Sequence, residues 1–341
     1  MINSLKISIC IPAFNRPLEL LELLDSIDRQ QYKPFEVIIC EDNSPQRLQI
    51  FNVVKSFKQK TSIPIRYFEN KKNLGYSANL RRCISLSKGD YVFLSGNDDI
   101  LSKDSLKIVA NKISKYKPEI IIRSYASFYK KLKNNLTEHK YVKDDYLVEY
   151  SKKEAAWLFY RSVLVSGLVF KSKSAKILQS NIVDATLYYQ NYLLVKMFKS
   201  GSVLYIPDIL VYNRIVDAGD FGSSEIEAKS GFEPGKRTIQ SSIITMKGFF
   251  SCAKQVEIEC QIEFLDYLKK IASAYSYPVI AYHADKPLIN YFWYIFMLRK
   301  LGYGGGFFYG YAIILKVLGS KYSDKILSLF RFIFGYTKRI V

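Results

Sequence analysis

The sequence predicts an α/β protein with a parallel, right-handed βαβ sheet, and three observations lead to this prediction. Apolar runs of strand type alternate with segments of helical periodicity from residue 6 to residue 115. The run Tyr-Val-Phe-Leu at 91–94 is continuously apolar, as in a strand that is buried on both faces. Polar or turn residues follow the strands, and open α/β sheets bind ligands at the carboxyl ends of their strands.

Each element follows from its local sequence. Predicted strands cover 6–11, 36–40, 65–69 and 91–94. Predicted helices cover 17–27, 46–60, a segment that ends near residue 87, and 103–115. Pro17 suits the first turn of the first helix, which Asn15 or Arg16 caps, and Ser102 is the predicted cap of the last.

The composition changes near residue 216, which predicts a first domain over 1–215 and a helical region over 216–341. Residues 219–235 are polar and contain Gly and Ser, as expected of either a flexible lid or a domain linker. Two helices are predicted between 237 and 275.

The segment 278–341 alternates aromatic runs with basic residues and contains nine Lys or Arg and two Asp. Helices of this composition lie in the headgroup region of anionic membranes. The segment is therefore predicted to bind a membrane surface, with a helical cap packed on the first domain as the alternative. No apolar run of about 20 residues is present, so no transmembrane helix is expected.

The chain is strongly basic: 50 Lys and Arg against 31 Asp and Glu give a formal net charge of +19. This charge implies an anionic partner, which could be nucleic acid, phospholipid or a phosphate-bearing substrate. No nucleic-acid-binding motif accompanies the charge, so nucleic acid is not expected. The two histidines, His139 and His283, lie far apart without ligand spacing and are interpreted as non-functional.

A pair of carboxylates follows the strand at 91–94, in the sequence Asn97-Asp98-Asp99. Two adjacent carboxylates at the ligand edge of a sheet repel each other unless a cation separates them from the substrate. A divalent metal that bridges to phosphate oxygens suits such hard ligands. The alternative is that Asp98 and Asp99 only cap the following turn. Neither a G-x-G-x-x-G nor a G-x-x-x-x-G-K-[ST] loop is present, so a metal and the carboxylates would have to hold the phosphates.

Four segments carry a resemblance to a known family: I-P-A-F-N-R-P at 11–17, I-C-E-D-N-S at 39–44, N-L-G-Y-S-A-N at 73–79 and G-D-Y-V-F-L-S-G-N-D-D at 89–99. They resemble bacterial family 2 glycosyltransferases with the GT-A fold, which is a Rossmann-like βαβ domain. G-L-V-F at 167–170 and I-P-D-I-L-V-Y at 206–212 also resemble the family. The form S-G-N-D-D-I-L is similar to the O-antigen branch that includes abequosyltransferases, which use CDP-3,6-dideoxyhexoses.

The resemblance implies a nucleoside diphosphate sugar as donor, Mn²⁺ or Mg²⁺ as cofactor, and roles for individual residues. The implied nucleotide-binding residues are Pro12, Phe14, Arg16, Asp42, Asn73, Gly75, Asn79, Arg82, Asn97 and Asp98. Asp42 would hydrogen-bond to the base, and Arg82 would meet phosphate unless it is a solvated surface residue. Asp98 would accept a hydrogen bond from the ribose or a water, and Asp99 would ligate the metal.

Two positions depart from the family pattern. Ser95 and Gly96 stand where family members commonly carry an acidic residue. An inverting transferase needs a carboxylate that takes the proton from the acceptor hydroxyl. The family usually supplies it from a Glu-Asp pair at the start of a helix, where this chain has Tyr189 and Gln190.

Asp184 is the nearest carboxylate to that position, and it is the predicted catalytic base alongside Asp98 as a second catalytic residue. Asp217 and Asp220 are other candidates for the base. The alternative is that Asp184 has no catalytic role and is an ordinary aspartate in a loop or at a helix cap.

The resemblance implies transfer of a sugar to a lipid-linked saccharide in O-antigen or surface polysaccharide assembly. The enzyme would lie on the cytoplasmic face of a bacterial inner membrane as a peripheral protein. One alternative is a sugar nucleotidyltransferase. Such an enzyme needs a glycine-rich basic loop after the first strand to bind a triphosphate, and residues 11–15 do not form one. Another is a non-catalytic protein that binds nucleotides or polyanions. The sequence predicts no oligomeric state.

Overall fold

A computed structural model describes residues 5–132, 136–216, 219–235 and 238–333 of the chain. The strands are β1 (Ile7–Ala13), β2 (Glu36–Glu41), β3 (Ile65–Glu69), β4 (Tyr91–Leu94), β5 (Ile100–Leu101), β6 (Ile120–Tyr129), β7 (Thr137–His139), β8 (Tyr146–Val148), β9 (Val169–Lys171) and β10 (Val203–Ile215). The helices are α1 (Pro17–Asp28), α2 (Arg47–Lys58), α3 (Tyr76–Leu86), α4 (Ser105–Tyr116), α5 (Lys152–Arg161), α6 (Ser172–Ile177), α7 (Tyr189–Phe198), α8 (Glu225–Lys229), α9 (Ile239–Cys260), α10 (Leu265–Ala274), α11 (Tyr277–Ala281), α12 (Leu288–Leu301) and α13 (Gly305–Ile333).

One mixed sheet runs through the described residues in the order β3-β2-β1-β4-β9-β6-β10-β5, with β7 beside β6 and β8 beside β10. The predicted parallel arrangement is confirmed for β3, β2, β1 and β4. Beyond β4 the prediction is incomplete, because β9 enters antiparallel to both β4 and β6. β9 has three residues, too few to give a clear strand signal in the sequence.

The first strand continues past its predicted end, since Pro12 and Ala13 pair with Cys40 and Glu41 of β2. Proline is tolerated here for a geometric reason. The Cys10 carbonyl accepts a hydrogen bond from the Ser95 amide on the β4 side, and backbone groups two residues apart point to the same side. The missing amide of Pro12 therefore faces the side on which β4 has already ended.

The start of α4 differs from the prediction. The helix begins at Ser105, and its N-cap position is occupied by Asp104 in a left-handed conformation. The Ser102 hydroxyl is engaged elsewhere, with Ser105 Oγ at 2.8 Å and with the carbonyl of Ile209. The prediction of Ser102 as the cap is therefore wrong.

The C-terminal helices pack against the domain that contains the sheet. The Phe159 ring of α5 lies 5.0 Å from that of Phe249 in α9 and 5.8 Å from that of Phe264. The two helices predicted between 237 and 275 are present as α9 and α10. Because these aromatic side chains are buried in one apolar cluster, the helices have a fixed position beside the sheet.

Helix α12 is apolar on its outer face as well as its inner face. Its inner residues, Tyr291, Tyr294 and Leu298, are buried. The outer residues include Ile289, Phe292, Trp293 and Phe296, which are 79%, 62%, 45% and 53% exposed. No helix among the described residues combines the length and apolar character that crossing a bilayer requires.

Candidate nucleotide-binding site

A cavity of about 690 Å³ opens at the carboxyl ends of β1, β2 and β4. Its other side is bounded by the segment 219–235 and by helices α9, α11 and α12. The predicted site residues that line it are Pro12, Phe14, Arg16, Asp42, Asn73, Gly75, Asn79, Asn97, Asp98 and Asp99. Because the strand ends meet at one edge of the sheet, side chains from distant motifs converge there.

Asp42 lies at the end of β2 and is only 3% exposed. Its carboxylate accepts hydrogen bonds from the backbone amides of Leu74 and Gly75, at 2.9 and 3.0 Å, and from the Asn70 side chain. Burial raises the pKa of Asp42 to about 6, and these donors oppose the shift. Asp42 therefore fixes the loop that precedes α3 while it also lines the cavity.

The loop before α3 depends on the conformation of Gly75. Its φ is +86°, and a Cβ there would lie 2.8 Å from Ser224 Oγ and 3.1 Å from an Ile226 methyl group. The Asn73 side chain accepts a hydrogen bond from the Gly75 amide at 2.9 Å. Asn79 donates to the carbonyl of Cys40 at 2.8 Å. The N-L-G-Y-S-A-N segment therefore ties the start of α3 to β2 and to the segment 219–235.

Arg16 joins two carboxylates at the mouth of the cavity. Its guanidinium forms ion pairs with Asp98 and, at 3.1 Å, with Asp220. Asn15 donates to the other oxygen of Asp220 at 3.3 Å. Both Asn15 and Arg16 have positive φ, 54° and 61°, which costs backbone energy in non-glycine residues.

Asp98 and Asp99 both line the cavity, and the Asp99 carboxylate is also held by hydrogen bonds within the fold. Asp99 accepts hydrogen bonds from the Ser166 hydroxyl, from Asn213 Nδ2 at 3.1 Å and from the Arg214 amide at 2.8 Å. Burial, together with the neighbouring charge of Asp98, raises the pKa of Asp99 to about 7. Burial also raises the pKa of Asp98, while Arg16 opposes this shift.

Asp98 and Asp99 could supply only one or two of the ligands that a divalent metal needs. The described residues contain no group of three or more His, Cys, Asp or Glu side chains arranged for a metal ion. Mg²⁺ commonly uses one or two protein carboxylates and takes its remaining ligands from phosphate and water. Asp98 fits that arrangement, since it lines the cavity. Both oxygens of Asp99 already accept hydrogen bonds, whereas Asp98 pairs through Oδ2 with Arg16, so Asp98 is the better-placed ligand once that ion pair opens.

Two predicted residues lie away from the cavity lining. Arg82 is exposed on α3, so it projects into solvent. Its neighbour Arg81 forms an ion pair with Asp184, whose backbone amide also donates to the Asn181 carbonyl at 3.1 Å. Asp184 is 9% exposed and is not among the residues that line the cavity. Asp217 lies outside the described residues.

Gln190 lines the cavity at the start of α7, where the family usually has a carboxylate. Its Nε2 donates to the Val163 carbonyl at 3.0 Å, and its Oε1 accepts from the Tyr76 hydroxyl at 3.3 Å. Gln190 is 1% exposed and has both ends of its amide bonded. A neutral amide held in this way cannot act as a general base.

The segment 219–235 closes one side of the cavity. Glu227 of α8 is 4% exposed and accepts hydrogen bonds from the amides of Tyr76 and Gly222, at 2.8 and 2.9 Å. The Phe221 ring packs edge-on against Tyr76, with centroids 5.7 Å apart. These contacts hold the segment against the start of α3, beside the cavity.

Several residues of the site carry no recognisable signal in the sequence. Ser166, Asn213 and Arg214 hold the carboxylate of Asp99 although they lie 67 to 115 positions away along the chain. Ser166 directly precedes the family-like G-L-V-F segment, which is the nearest feature of the sequence that could have drawn attention to it. Glu227 lies in the polar segment that the sequence left open as lid or linker.

Comparisons with known proteins agree with this geometry. Residues 8–167 match the family model described as Glycosyl transferase family 2. Abequosyltransferase RfbV of Salmonella typhimurium is 28% identical over 220 residues, which cover 64% of this chain and 56% of that protein. Poly(ribitol-phosphate) beta-N-acetylglucosaminyltransferase TarP of Staphylococcus aureus is 30% identical over 123 residues, which cover 35% of this chain and 36% of that protein. The matched regions therefore span about half the length of RfbV and about a third of the length of TarP.

A solved structure supplies the fold comparison. S. aureus TarS 1–349, crystallised in complex with UDP-GlcNAc, superimposes with a TM-score of 0.60 at 15% identity. The superposition covers 87% of this chain and 80% of that one. At 15% identity the structural similarity shows the fold alone. Residues 8–167 are therefore a glycosyl transferase family 2 domain, and the sheet that contains them has the GT-A fold.

Proposed function

We propose that this chain is a glycosyltransferase that moves a sugar from a nucleoside diphosphate donor to a saccharide acceptor. The observation that carries the proposal is the convergence of Arg16, Asp42 and Asp98 on one cavity. These residues come from three separate family motifs. The guanidinium suits the diphosphate of a sugar nucleotide, and the buried carboxylate of Asp42 suits its base. The carboxylate of Asp98 suits the ribose or a metal ion that accompanies the diphosphate.

Each residue has a proposed task. Asp42 accepts a hydrogen bond from the base, since its carboxylate lines the cavity at the end of β2. Arg16 exchanges its ion pair with Asp98 for the diphosphate, because phosphate is a strong guanidinium partner. Released from that ion pair, Asp98 would hold Mn²⁺ or Mg²⁺. When bound, the metal supplies positive charge to the departing diphosphate.

The proposed donor is a CDP-linked 3,6-dideoxyhexose. RfbV, an abequosyltransferase that is 28% identical over 220 residues, supports this choice. Apolar side chains that line the cavity, among them Val163, Leu187 and Phe232, also support it. A sugar that lacks hydroxyl groups loses less hydration beside such walls than a fully hydroxylated hexose does.

We further propose that Asp220, which lines the cavity, is the better base candidate than Asp184. Asp220 is held by Arg16 at 3.1 Å, and a diphosphate that draws Arg16 away would free its carboxylate. Asp184 would first have to leave its ion pair with Arg81. This assignment places the base on the segment that covers the nucleotide.

The proposed acceptor is a lipid-linked saccharide in surface polysaccharide assembly, with the enzyme on the cytoplasmic face of a bacterial inner membrane. The exposed apolar face of α12, formed by Ile289, Phe292, Trp293 and Phe296, supports attachment to a membrane surface. Arg299 and Lys300 lie in the last turn of the same helix and suit anionic headgroups.

The direct test is release of nucleoside diphosphate from a panel of CDP-, UDP-, GDP- and dTDP-sugars in the presence of saccharide acceptors, with and without Mn²⁺. We expect turnover of one base class, with CDP-sugars favoured, and loss of turnover in Asp98→Asn. Tight nucleotide binding without turnover of any sugar nucleotide would favour the non-catalytic alternative. Formation of a sugar nucleotide from a nucleoside triphosphate and a sugar phosphate would favour the nucleotidyltransferase.

A further inference from the structure

The wall of the cavity opposite the sheet is built by helices outside the matched family domain. The family match ends at residue 167, whereas α9 begins at residue 239. Residues of this helical wall, defined here as the lining residues beyond 238, are Ser241, Ser242, Thr245, Met246, Pro278, Val279, Tyr282 and Tyr294. The helical wall therefore lies outside the matched family domain, and what it contacts must be argued from its own residues.

One polar pair stands out in the helical wall. The Ser242 hydroxyl lines the cavity and lies 2.8 Å from His283 Nε2. His283 is fully buried and packs edge-on against the Tyr294 ring, with centroids 4.8 Å apart. Among the described residues, the other imidazole nitrogen, Nδ1, has no hydrogen-bond partner.

Packing alone does not account for a histidine at this position. Leaving a buried polar atom unpaired costs about 1–3 kcal/mol, which an apolar side chain of similar size would avoid. Burial lowers the pKa of His283, and Lys286 adds to the shift while Asp285 opposes it. The imidazole is therefore neutral near pH 7, and its defined contact is the hydrogen bond to Ser242.

A neutral imidazole leaves Ser242 with unused hydrogen-bonding capacity. A hydroxyl has one donor and two acceptor positions, and His283 engages one of them in either tautomer. Ser242 lines the cavity together with Tyr282 and Tyr294. A hydroxyl group next to aromatic and aliphatic surface is complementary to a sugar, which has hydroxyl edges and an apolar C–H face.

We propose that Ser242, positioned by His283, hydrogen-bonds a hydroxyl group of the saccharide acceptor and that the helical wall forms the acceptor subsite. This inference rests on the proposed transferase function, because it assumes that the sheet side of the same cavity takes the donor. Ser242 is the residue that touches the acceptor. His283 is a positioning residue that fixes the orientation of the Ser242 hydroxyl. The interpretation of His283 as non-functional is replaced by this role.

The test uses octyl glycosides of glucose, galactose, mannose and rhamnose as probes on the full chain. The chain has two histidines, so ¹³C-labelled imidazole gives two signals, which a His139→Gln variant assigns. We expect at least one glycoside to shift the His283 signal and leave that of His139 in place. Ser242→Ala should weaken binding of that glycoside at least tenfold, and Ser242→Thr, which keeps a hydroxyl, should retain most of it.

Ser56→Ala is the matched control, because Ser56 is exposed on α2. Calorimetric binding of CDP and UDP to the same variants separates this inference from the proposed function. Glycoside binding that Ser242→Ala leaves unchanged, with nucleotide binding intact, would overturn the acceptor subsite alone. Shifts of both histidine signals together, or of neither, would also overturn it. Absence of nucleotide binding in every variant would instead contradict the proposed transferase.

Discussion

The guanidinium of Arg16 is ion-paired with the carboxylate of Asp98, so a cation of the protein itself lies against the acidic residue at the mouth of the cavity. The same guanidinium reaches Asp220 at 3.1 Å and thereby joins the start of α1, the S-G-N-D-D segment and the segment 219–235. Arg16 and Asp98 are 22% and 15% exposed, so solvent screens the pair only in part. A diphosphate that enters must compete with both carboxylates for Arg16, which couples donor binding to the position of Asp220.

Substitution of Gly75 by alanine tests the contact between the loop before α3 and the segment 219–235. We expect the free energy of unfolding to fall by about 1–3 kcal/mol, because the positive φ and the close Ser224 hydroxyl both resist a Cβ. Chemical denaturation measures the change. Gly304→Ala is the control, since a Cβ there would have nothing within 4 Å. Equal effects of the two substitutions would argue against the close contact at Gly75.

The buried carboxylate of Asp42 predicts a pH dependence of stability. Its pKa is raised to about 6 in the folded state, above the value of about 3.9 in an unfolded chain, so the folded state binds the proton more tightly. This group therefore lowers the free energy of unfolding as the pH rises from about 4 through 6. We expect Asp42→Asn to reduce the fall between pH 5 and pH 8 by about 1.4 kcal/mol, measured by denaturation at those two pH values.

The control for this measurement is Asp25→Asn, at an exposed position on α1. The new asparagine side chain cannot accept all the hydrogen bonds that the Asp42 carboxylate accepts, and this loss lowers the stability at every pH. The loss cancels when the stabilities at pH 5 and pH 8 are subtracted. An unchanged difference between pH 5 and pH 8 in Asp42→Asn would mean that Asp42 ionises as an ordinary solvent-exposed aspartate does.

The two base candidates predict opposite results for turnover. Asp220→Asn should lower kcat at least a hundredfold, which is about the lower contribution of a general base, and should leave CDP or UDP affinity within a few fold. Asp184→Asn should mainly lower stability, because it breaks the ion pair with Arg81. Kinetics of nucleotide release and thermal melting distinguish the two. A large loss of kcat in Asp184→Asn alone would return the base to Asp184.

The exposed face of α12 predicts membrane binding. Phe292→Ser together with Phe296→Ser should weaken binding to vesicles of phosphatidylglycerol and phosphatidylcholine by roughly tenfold for each ring removed. Sedimentation with the vesicles measures this. Leu48→Ser is the control, because Leu48 is 67% exposed on α2. If both the double variant and Leu48→Ser sedimented like the unmodified protein, α12 would not be the membrane-binding surface.

The strand ends were predictable because their positions follow from periodicity. Parallel strands that alternate with helices must bring Asp42 and Asp98 to the same edge of a sheet, whatever the loops between them do. The motifs at 11–17, 73–79 and 89–99 therefore converge as expected. In contrast, β9 is short and antiparallel, so neither its length nor its neighbours gave it a periodic signal.

Side-chain partners were harder to predict, since small angular differences decide them. Successive residues on a helix point about 100° apart, so Arg81 meets Asp184 while Arg82 faces solvent. Asp98 and Asp99 both line the cavity, but Ser166 binds the carboxylate of Asp99, whereas Arg16 binds that of Asp98. Ser242 and His283 meet only because α9 packs beside the segment before α12, and that packing has no local sequence signature.

The most direct test of the central claim is calorimetric binding of CDP, UDP, GDP and dTDP, each with and without Mn²⁺. The same titrations on Arg16→Ala and Asp98→Asn locate the site. The account predicts tight, Mn²⁺-dependent binding of one nucleoside diphosphate. Arg16→Ala should weaken binding of the diphosphate while leaving that of the matching nucleoside nearly unchanged, and Asp98→Asn should abolish the effect of Mn²⁺. If none of the four binds, or if both variants bind as the unmodified protein does, the cavity is not the donor site.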